Sequence, residues 1–396
     1  MVLSTGFKVN YQVFDGLTDE ALAFFRKHGF VVLTSVFNQS EMEDSIHTLD
    51  TIRARFADEM ELDLATYDER ICQWRDMWMF EPHFDKMLRD ERLIGAAQFF
   101  MRQPSIQLIH DHVIRKPFSA LNATIPWHQD YPFWPVDTPD GLSTWTPMED
   151  VSKDGGCLEV VDGSHEWGVS PPVDFIMDPM DFSDREDVIR IPAKRGTLVV
   201  LHSLTWHRTN PNQDEGTNRP AHISLWVPAY ARYRPDLSDW HPVNDHITVE
   251  AGEHLNTDKF PRFGDFDEAS APGPNEGLLH SGPLKSEDTM DMFSATPRIA
   301  GHIHRIIGDR ENNIEICRLS EYVGDEVVRN RIFEQCLKAE ILAEDQREWL
   351  GGMFERMLIN SKAFVQHRAR NVYNDAYAQW WFHIGVKWVD LWNEQE

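Results

Sequence analysis

Trp127-His128-Gln129-Asp130-Tyr131 and, further along, Gly196-Thr197-Leu198-Val199-Val200-Leu201-His202-Ser203-Leu204-Thr205-Trp206-His207 decide the reading of this chain. Side chains i and i+2 of a strand share a face, so an extended backbone would aim His128 and Asp130 at one point. The second stretch is an apolar, strand-like run entering a tight segment that ends on His207. Two imidazoles and one carboxylate bind one side of a metal and leave the other positions open, as in non-heme iron(II) oxygenases. H-x-D alone is a weak signal, because 18 histidines and 65 acidic residues make chance matches common. Asp111 between His110 and His112 offers a competing cluster, and His302 with His304 another. Context favours the first set: strand spacing, the later histidine, and Arg219 ahead of the apolar run 221–227. An arginine pairs bidentately with a carboxylate, so Arg219 suits an anionic co-substrate.

Outward from these stretches, residues 18–28 read as a helix with Thr18 as N-cap, acidic Asp19 and Glu20 in the first turn, and Gly29 as its stop. Residues 30–33 read as a strand. Ser40-Glu41-Met42-Glu43 reads as a capping box, followed by Met42, Ile46, Leu49, Ile52 and Phe56 at helical spacing. From about residue 105 short β-prone pieces alternate with turn residues, at 107–114, 143–148, 157–161, 197–202 and 222–229. That pattern predicts a sandwich or barrel rather than alternating β and α units. Prolines from Pro235 to Pro297 break up 231–300, and 263–277 reads as an exposed loop. Helical spacing returns from Ser320. The expected organisation is an α+β chain, with helices and a β core over 1–232 and an irregular Pro-rich insert over 233–300 that serves as a lid. A helical C-terminal extension over 301–396 packs on the core.

With 38 basic against 65 acidic residues in 396, the net charge of −27 excludes the basic surface that nucleic acid or an anionic membrane requires. The four cysteines show no CxxC pair, which suits a reducing, cytoplasmic setting. The N-terminus lacks a secretory pattern. Gln379, His383, Lys387 and Asp390 interrupt the apolar stretch 376–392, which reads as an amphipathic helix rather than a span.

The order of motifs resembles the phytanoyl-CoA dioxygenase family. It runs from W-H-Q-D at 127–130 through Thr144-Trp145-Thr146-Pro147-Met148-Glu149-Asp150 and the turn Gly163-Ser164-His165 to His207 and Asn218-Arg219-Pro220. Gly29-Phe30-Val31-Val32-Leu33 and the step Lys116-Pro117 are similar to family features too. The resemblance implies a double-stranded β-helix, a jelly-roll or cupin-like core, and an oxygenase dependent on Fe(II), 2-oxoglutarate and O2. It implies His128, Asp130 and His207 as iron ligands, with no catalytic residue beyond them. Arg219, Thr209 and Trp145 would bind 2-oxoglutarate, with Gln129 pointing to the opposite strand face and His202 in the core or supporting a ligand rather than binding metal itself. Hydroxylation of an unactivated C–H bond, with release of succinate and CO2, is the expected reaction. Desaturation, cyclisation and a catalytically silent scaffold stay open as alternatives. Trp127, Tyr131, Phe133 and Trp134 are candidates for the wall of a substrate pocket. The partner is a small or medium specialised metabolite, since a polyanionic CoA ester suits a chain at −27 poorly. The protein is expected as a monomer or homodimer.

Overall fold

The computed structural model describes residues 11–59, 62–68, 71–118, 124–170, 181–234, 242–273 and 374–375. The chain divides into two compact units, Met1–Pro283 and Leu284–Glu396. In the second, only the short strand Asn374–Asp375 is described. The expected helical extension over 301–396 therefore lies outside the described residues.

Helices lead the first unit. In α1 (Asp19–His28) the Thr18 hydroxyl accepts from the Ala21 N–H at 3.1 Å. Gly29 ends the helix at φ 75, a left-handed conformation that disfavours a side chain. A Cβ there would also lie 2.5 Å from His165 Nδ1 and Thr205 Oγ1, so the position has no room for one. Strand β1 (Phe30–Leu33) follows and is buried along its length. The next helix, α2 (Gln39–Glu59), starts earlier than the sequence suggests. Asn38 Oδ1 accepts from Glu41 N at 3.0 Å, and Glu41 Oε2 accepts from Asn38 N at 2.6 Å. The reciprocal cap is thus Asn38 with Glu41, not Ser40 with Glu43. Glu43 instead accepts from Gln39 Nε2, one turn back.

Between α2 and the β core lie α3 (Leu64–Asp68), β2 (Cys72–Arg75), α4 (Pro82–Leu88) and α5 (Glu91–Met101). The β-rich centre comprises β3 (Ile106–Arg115), β4 (Ile125–His128), β5 (Leu142–Pro147), β6 (Leu158–Val161) and β7 (Val188–Ile191). It continues with β8 (Leu198–His202), β9 (His207–Thr209), β10 (Pro220–Pro228) and β11 (Arg262–Phe263). One sheet runs β1-β8-β5-β10-β3-β2, with β11 also on β3, and the other runs β4-β9-β6-β7. Every pairing among these strands is antiparallel. Phe30, Val32, Trp145, Val199 and Leu201 of the first sheet pack with Leu158, Val160 and Ile191 of the second in one buried cluster. The two sheets therefore face each other across an apolar layer, each large side chain contributing roughly 1.5–3 kcal/mol by burial.

The register of the first sheet sets what reaches the site. His112 of β3 sits opposite Ile223 of β10, which sits opposite Trp145 of β5. His110, Leu225 and Ser143 form the neighbouring row. Between the pairs His110–Leu225 and Leu108–Trp226 the register shifts, leaving Ile109 as the extra residue of a bulge. Ile109 joins Leu225 and Val227 in a second buried cluster, which Val243, Leu255 and Phe260 complete. Gln107 Nε2 ties that segment down through Leu255 O at 3.1 Å and Phe260 O at 2.8 Å. The described part of the Pro-rich stretch is therefore packed into the core at its start and largely exposed over 264–273.

Cys72 and Cys157 are buried, and no described helix is long and apolar enough to cross a membrane. His202, at the end of β8, packs beside the rings of Phe25 and His165. Burial, then the neighbouring His165, push its pKa down to about 4, and its Nδ1 accepts from Leu204 N. Between that value and the ordinary 6.5, the unfolded chain binds a proton at this position and the fold does not. Stability must then fall as pH drops through that window, by on the order of 1 kcal/mol per pH unit from this residue. Denaturant melts between pH 7 and pH 4.5 should show the decline, and His202→Gln should flatten it by about one proton's worth.

Candidate metal centre and co-substrate pocket

The pairing of β4 with β9 puts His128 directly opposite His207. Their rings lie 4.2 Å apart between centroids. In each, Nδ1 lies 2.8 Å from the carbonyl two residues back, Pro126 O for His128 and Thr205 O for His207. A carbonyl only accepts, so both rings carry their proton on Nδ1 and present a bare Nε2. Asp130 Oδ1 lies 3.6 Å from His128 Nε2 and 3.7 Å from His207 Nε2. Among the described residues this is the one cluster of such groups with ligand atoms all within 4.8 Å of each other.

Asp130 reaches that position by a route the sequence spacing does not suggest. Strand β4 ends at His128, and Asp130 has φ −75 and ψ −43, a helical conformation at the head of the 3-10 turn Tyr131–Phe133. Its N–H and that of Tyr131 both donate to Ser203 O, at 3.0 and 3.1 Å. The carboxylate is aimed by this turn, not by strand alternation. Its other oxygen, Oδ2, accepts a short hydrogen bond from the Ser143 hydroxyl of β5. Burial alone would raise this carboxyl, but His207, His128 and Ser143 outweigh it and hold Asp130 well below the usual carboxylate range. Burial, then His128, push His207 down to about 4, so its imidazole is neutral at physiological pH. Two imidazoles whose Nδ1 atoms face carbonyls and one ionised carboxylate form a donor set for a divalent transition metal.

Beyond Trp145 the pocket turns cationic. Arg219 is 2% exposed and stands at φ 45, a left-handed conformation rare for a residue with a side chain. Glu149 Oε2 holds this turn, accepting from Asn218 N at 3.1 Å and Arg219 N at 3.0 Å. The guanidinium lies 5.2 Å above the Trp145 ring, while Nε and Nη2 are buried with no hydrogen-bond partner among the described residues. Burial pushes its pKa down to about 10. Fully buried Lys116 donates to Thr209 Oγ1 at 2.5 Å and to the carbonyls of Thr209 and Asn210 at 3.0 and 3.2 Å. Burial, then Arg219, push it well below the usual ammonium range. Because Thr209 Oγ1 accepts from Lys116, its own proton is left to donate elsewhere.

The remaining candidates separate. Trp127 alternates away from His128 and packs on Val161, Trp206 and Phe182, with the Arg208 guanidinium 4.8 Å from its ring. Arg208 itself pairs with Glu159 at 2.6 Å on that far side. Tyr131 and Trp134 are buried in the cluster around Leu225, and the Tyr131 hydroxyl donates to Val136 O. Phe133 is half-buried, its ring 6.3 Å from that of His128. Gln129 is fully buried away from the ligands and bonds Gly168 O, Leu204 O and Ser170 N. The competing cluster breaks up, since Asp111 points to the other face of β3 and pairs with His222 Nε2 at 3.0 Å. Ser143, Lys116 and Glu149 hold Asp130, Thr209 and the Arg219 backbone, tasks that the motifs containing Lys116 and Glu149 did not spell out. The signal for Ser143 was its place two residues before Trp145, on the same strand face.

A two-histidine, one-carboxylate centre between facing antiparallel sheets, with the buried Arg219 guanidinium in the same pocket, defines the class. Residues 25–221 match the family model for phytanoyl-CoA dioxygenase, and by them the chain belongs to that family, which depends on iron(II), 2-oxoglutarate and O2. The chain is 26% identical to the peroxisomal phytanoyl-CoA dioxygenase of Bos taurus over 243 residues, covering 50% of this chain and 66% of that one. It is 32% identical to phytanoyl-CoA dioxygenase 1 of Oryza sativa over 107 residues, covering 26% of this chain and 37% of that one. The chain thus spans at most about two thirds of these relatives. Among solved structures, the non-heme alpha ketoglutarate dependent carbocyclase SnoK from nogalamycin biosynthesis superposes with a TM-score of 0.51 at 20% identity. That match covers 62% of this chain and 96% of the other, a likeness of fold.

Removing the Ser143 hydroxyl leaves Asp130 without the hydrogen bond that orients it. Ser143→Ala should weaken binding of Fe(II) or Co(II) by about 10-fold or more, as loss of an outer hydrogen bond to a ligand does. Anaerobic metal titration followed by absorption measures this.

Proposed function

We propose that the protein is an iron(II)- and 2-oxoglutarate-dependent oxygenase that hydroxylates an unactivated C–H bond of a small or medium specialised metabolite. His128 and His207 would hold iron through Nε2 and Asp130 through its carboxylate. Arg219, with Thr209 and Trp145, would bind the far carboxylate of 2-oxoglutarate, and Lys116 would hold Thr209 in place beside it through its hydrogen bonds. We infer too that the two facing sheets form a double-stranded β-helix. The observation that carries the reading is the buried Arg219 guanidinium, with Nε and Nη2 unpaired, beside a donor set suited to iron. Unpaired buried donors cost about 1–3 kcal/mol each, which a dicarboxylate in this pocket offsets. A catalytically silent scaffold would have no use for that arrangement.

Bound iron and 2-oxoglutarate would supply, with O2, the oxidising power for the C–H bond, one oxygen atom entering the product and the other leaving in succinate, with CO2 released. The chain's own residues bind and orient. The Pro126 and Thr205 carbonyls fix the tautomers of the two imidazoles, Ser143 fixes the carboxylate, and Glu149 fixes the backbone of Arg219. The apolar cluster of Tyr131, Leu204 and Leu225 keeps water from one side of the centre.

Anaerobic addition of Fe(II) and 2-oxoglutarate should produce a weak visible charge-transfer band, and His128→Ala should abolish it. Retention of the band in that variant would remove the proposed ligand. Arg219→Gln should keep the band but raise the 2-oxoglutarate needed for half its intensity by roughly 10- to 100-fold, the loss expected of charged hydrogen bonds.

A further inference from the structure

Toward the end of β10 that lies away from Arg219, three basic side chains meet. Arg232 follows β10, His254 precedes the buried Leu255, and Arg262 opens β11. Arg232 and His254 face each other across an isolated antiparallel bridge. Arg262 sits opposite Gln107, which in turn sits opposite Val227 of β10. Roughly 25 Å of extended chain separates Val227 from Arg219, so these groups are not part of the co-substrate pocket.

The three side chains share one ring and one field. The Arg262 guanidinium lies 4.4 Å from the centroid of Phe266, and the His254 ring stands edge-on to the same phenyl at 5.1 Å. Burial, then Arg232 and Arg262, push the pKa of His254 down, as positive neighbours do to an imidazole. Its Nδ1 lies 3.3 Å from Ala231 O, which only accepts, so the proton sits there. Arg232 Nε, Arg262 Nε and His254 Nε2 are buried and have no hydrogen-bond partner among the described residues. Arg232 donates from Nη1 to Gly252 O at 3.1 Å.

Acids nearby leave both guanidiniums unpaired. Asp137 Oδ1 accepts from the backbone N–H of Arg232 at 2.8 Å, and Glu268, its side chain 76% exposed, stands 3.9 Å from His254. Neither arginine has an ion-pair partner among the described residues, in a chain of net charge −27. The loop beside them is built to one shape. Gly264 stands at φ 90, a Cβ there would run into Pro104 O, and Ser105 Oγ donates to Gly264 O at 3.2 Å. That turn sets Phe266 against Arg262 and His254.

We propose that Arg232, His254 and Arg262 form a binding site for a dianionic tetrahedral oxyanion, a phosphate group either free or carried on a ligand whose apolar part lies against Phe266. Guanidiniums bind phosphate through paired N–H donors, and two of them match the charge of a dianion. A carboxylate offsets only one. The bound anion also clips together three segments that otherwise repel one another: the chain leaving β10, the insert at His254 and the start of β11. The site is separate from the oxygenase chemistry, and the inference does not depend on that reading.

The test uses the full chain loaded anaerobically with Fe(II) and saturating 2-oxoglutarate, which occupies the Arg219 pocket. Isothermal titration at constant ionic strength follows sulfate, a probe with the shape and charge of phosphate, against acetate, chloride and phenyl phosphate. Sulfate is expected to bind saturably, acetate about tenfold or more weakly, and chloride without saturation. Phenyl phosphate binding tighter than sulfate supports a phosphorylated ligand on Phe266, and equal binding supports the free anion. Arg232→Gln and Arg262→Gln should each weaken sulfate by about tenfold or more, and Arg262→Lys should recover part of the loss. Glu268→Gln, an exposed change that leaves the core untouched, should tighten sulfate by about two- to fivefold. Arg219→Gln should leave sulfate affinity as it is. Sulfate that binds no better than chloride, affinity unchanged in both Arg232→Gln and Arg262→Gln, or affinity lost in Arg219→Gln would overturn the proposal.

Discussion

The antiparallel pairing of β4 with β9 sets His128 opposite His207, and in both rings the Nδ1 proton is spent on the carbonyl two residues earlier. With those protons fixed, the two Nε2 atoms face each other's neighbourhood as acceptors, and Asp130 closes the third side. The other parts of the site are placed relative to this cross-strand pair. Ser203 O holds the turn that brings Asp130 in, Ser143 locks its second oxygen, and β9 carries Thr209 on the same face as His207. A one-residue slip of β9 would turn His207 and Thr209 to the opposite face, because side chains alternate along a strand.

The fold supports this pair from both sheets. Phe30, Val199 and Leu201 pack with Leu158, Val160 and Ile191, which fixes how the smaller sheet lies on the larger one. The bulge at Ile109 then bends β3 where His110 and His112 pass the centre. Bulges recur near active sites because they redirect side chains that a regular strand would aim elsewhere. Electrostatics follows the same layout. The anionic member, Asp130, is held ionised by two imidazoles, while Lys116 and Arg219 are clustered in a separate compartment beyond Trp145.

Much of this was legible in the chain. Thr18 and Gly29 bracket α1 as their capping chemistry predicts, and the short β-prone pieces at 107–114, 143–148, 157–161, 197–202 and 222–229 each fall on a strand, overrunning it by at most one residue. Local signals sufficed there because caps and β-branched runs act over a few residues. Helices α3, α4 and α5 and strand β2 escaped notice, since none has a long periodic face of its own and each is stabilised by packing. The capping box was read two residues late because Ser40 and Asn38 are both good caps, and the choice falls to Asn38, whose box partner Glu41 is also held by Arg92 at 2.6 Å.

The sequence by itself determined the candidate donors, two histidines, an aspartate and an arginine, and their order along the chain. Residue type alone limits the chemistry a side chain can perform, so that much needs no structure. Direction was decided only in three dimensions. Asp130 points at the histidines from a helical turn, Trp127 points away from them, and Asp111 leaves His110 and His112 for the opposite face of β3. The physical reason is that side-chain direction depends on backbone conformation and cross-strand register. Both are set by hydrogen bonds and packing between residues far apart in the chain.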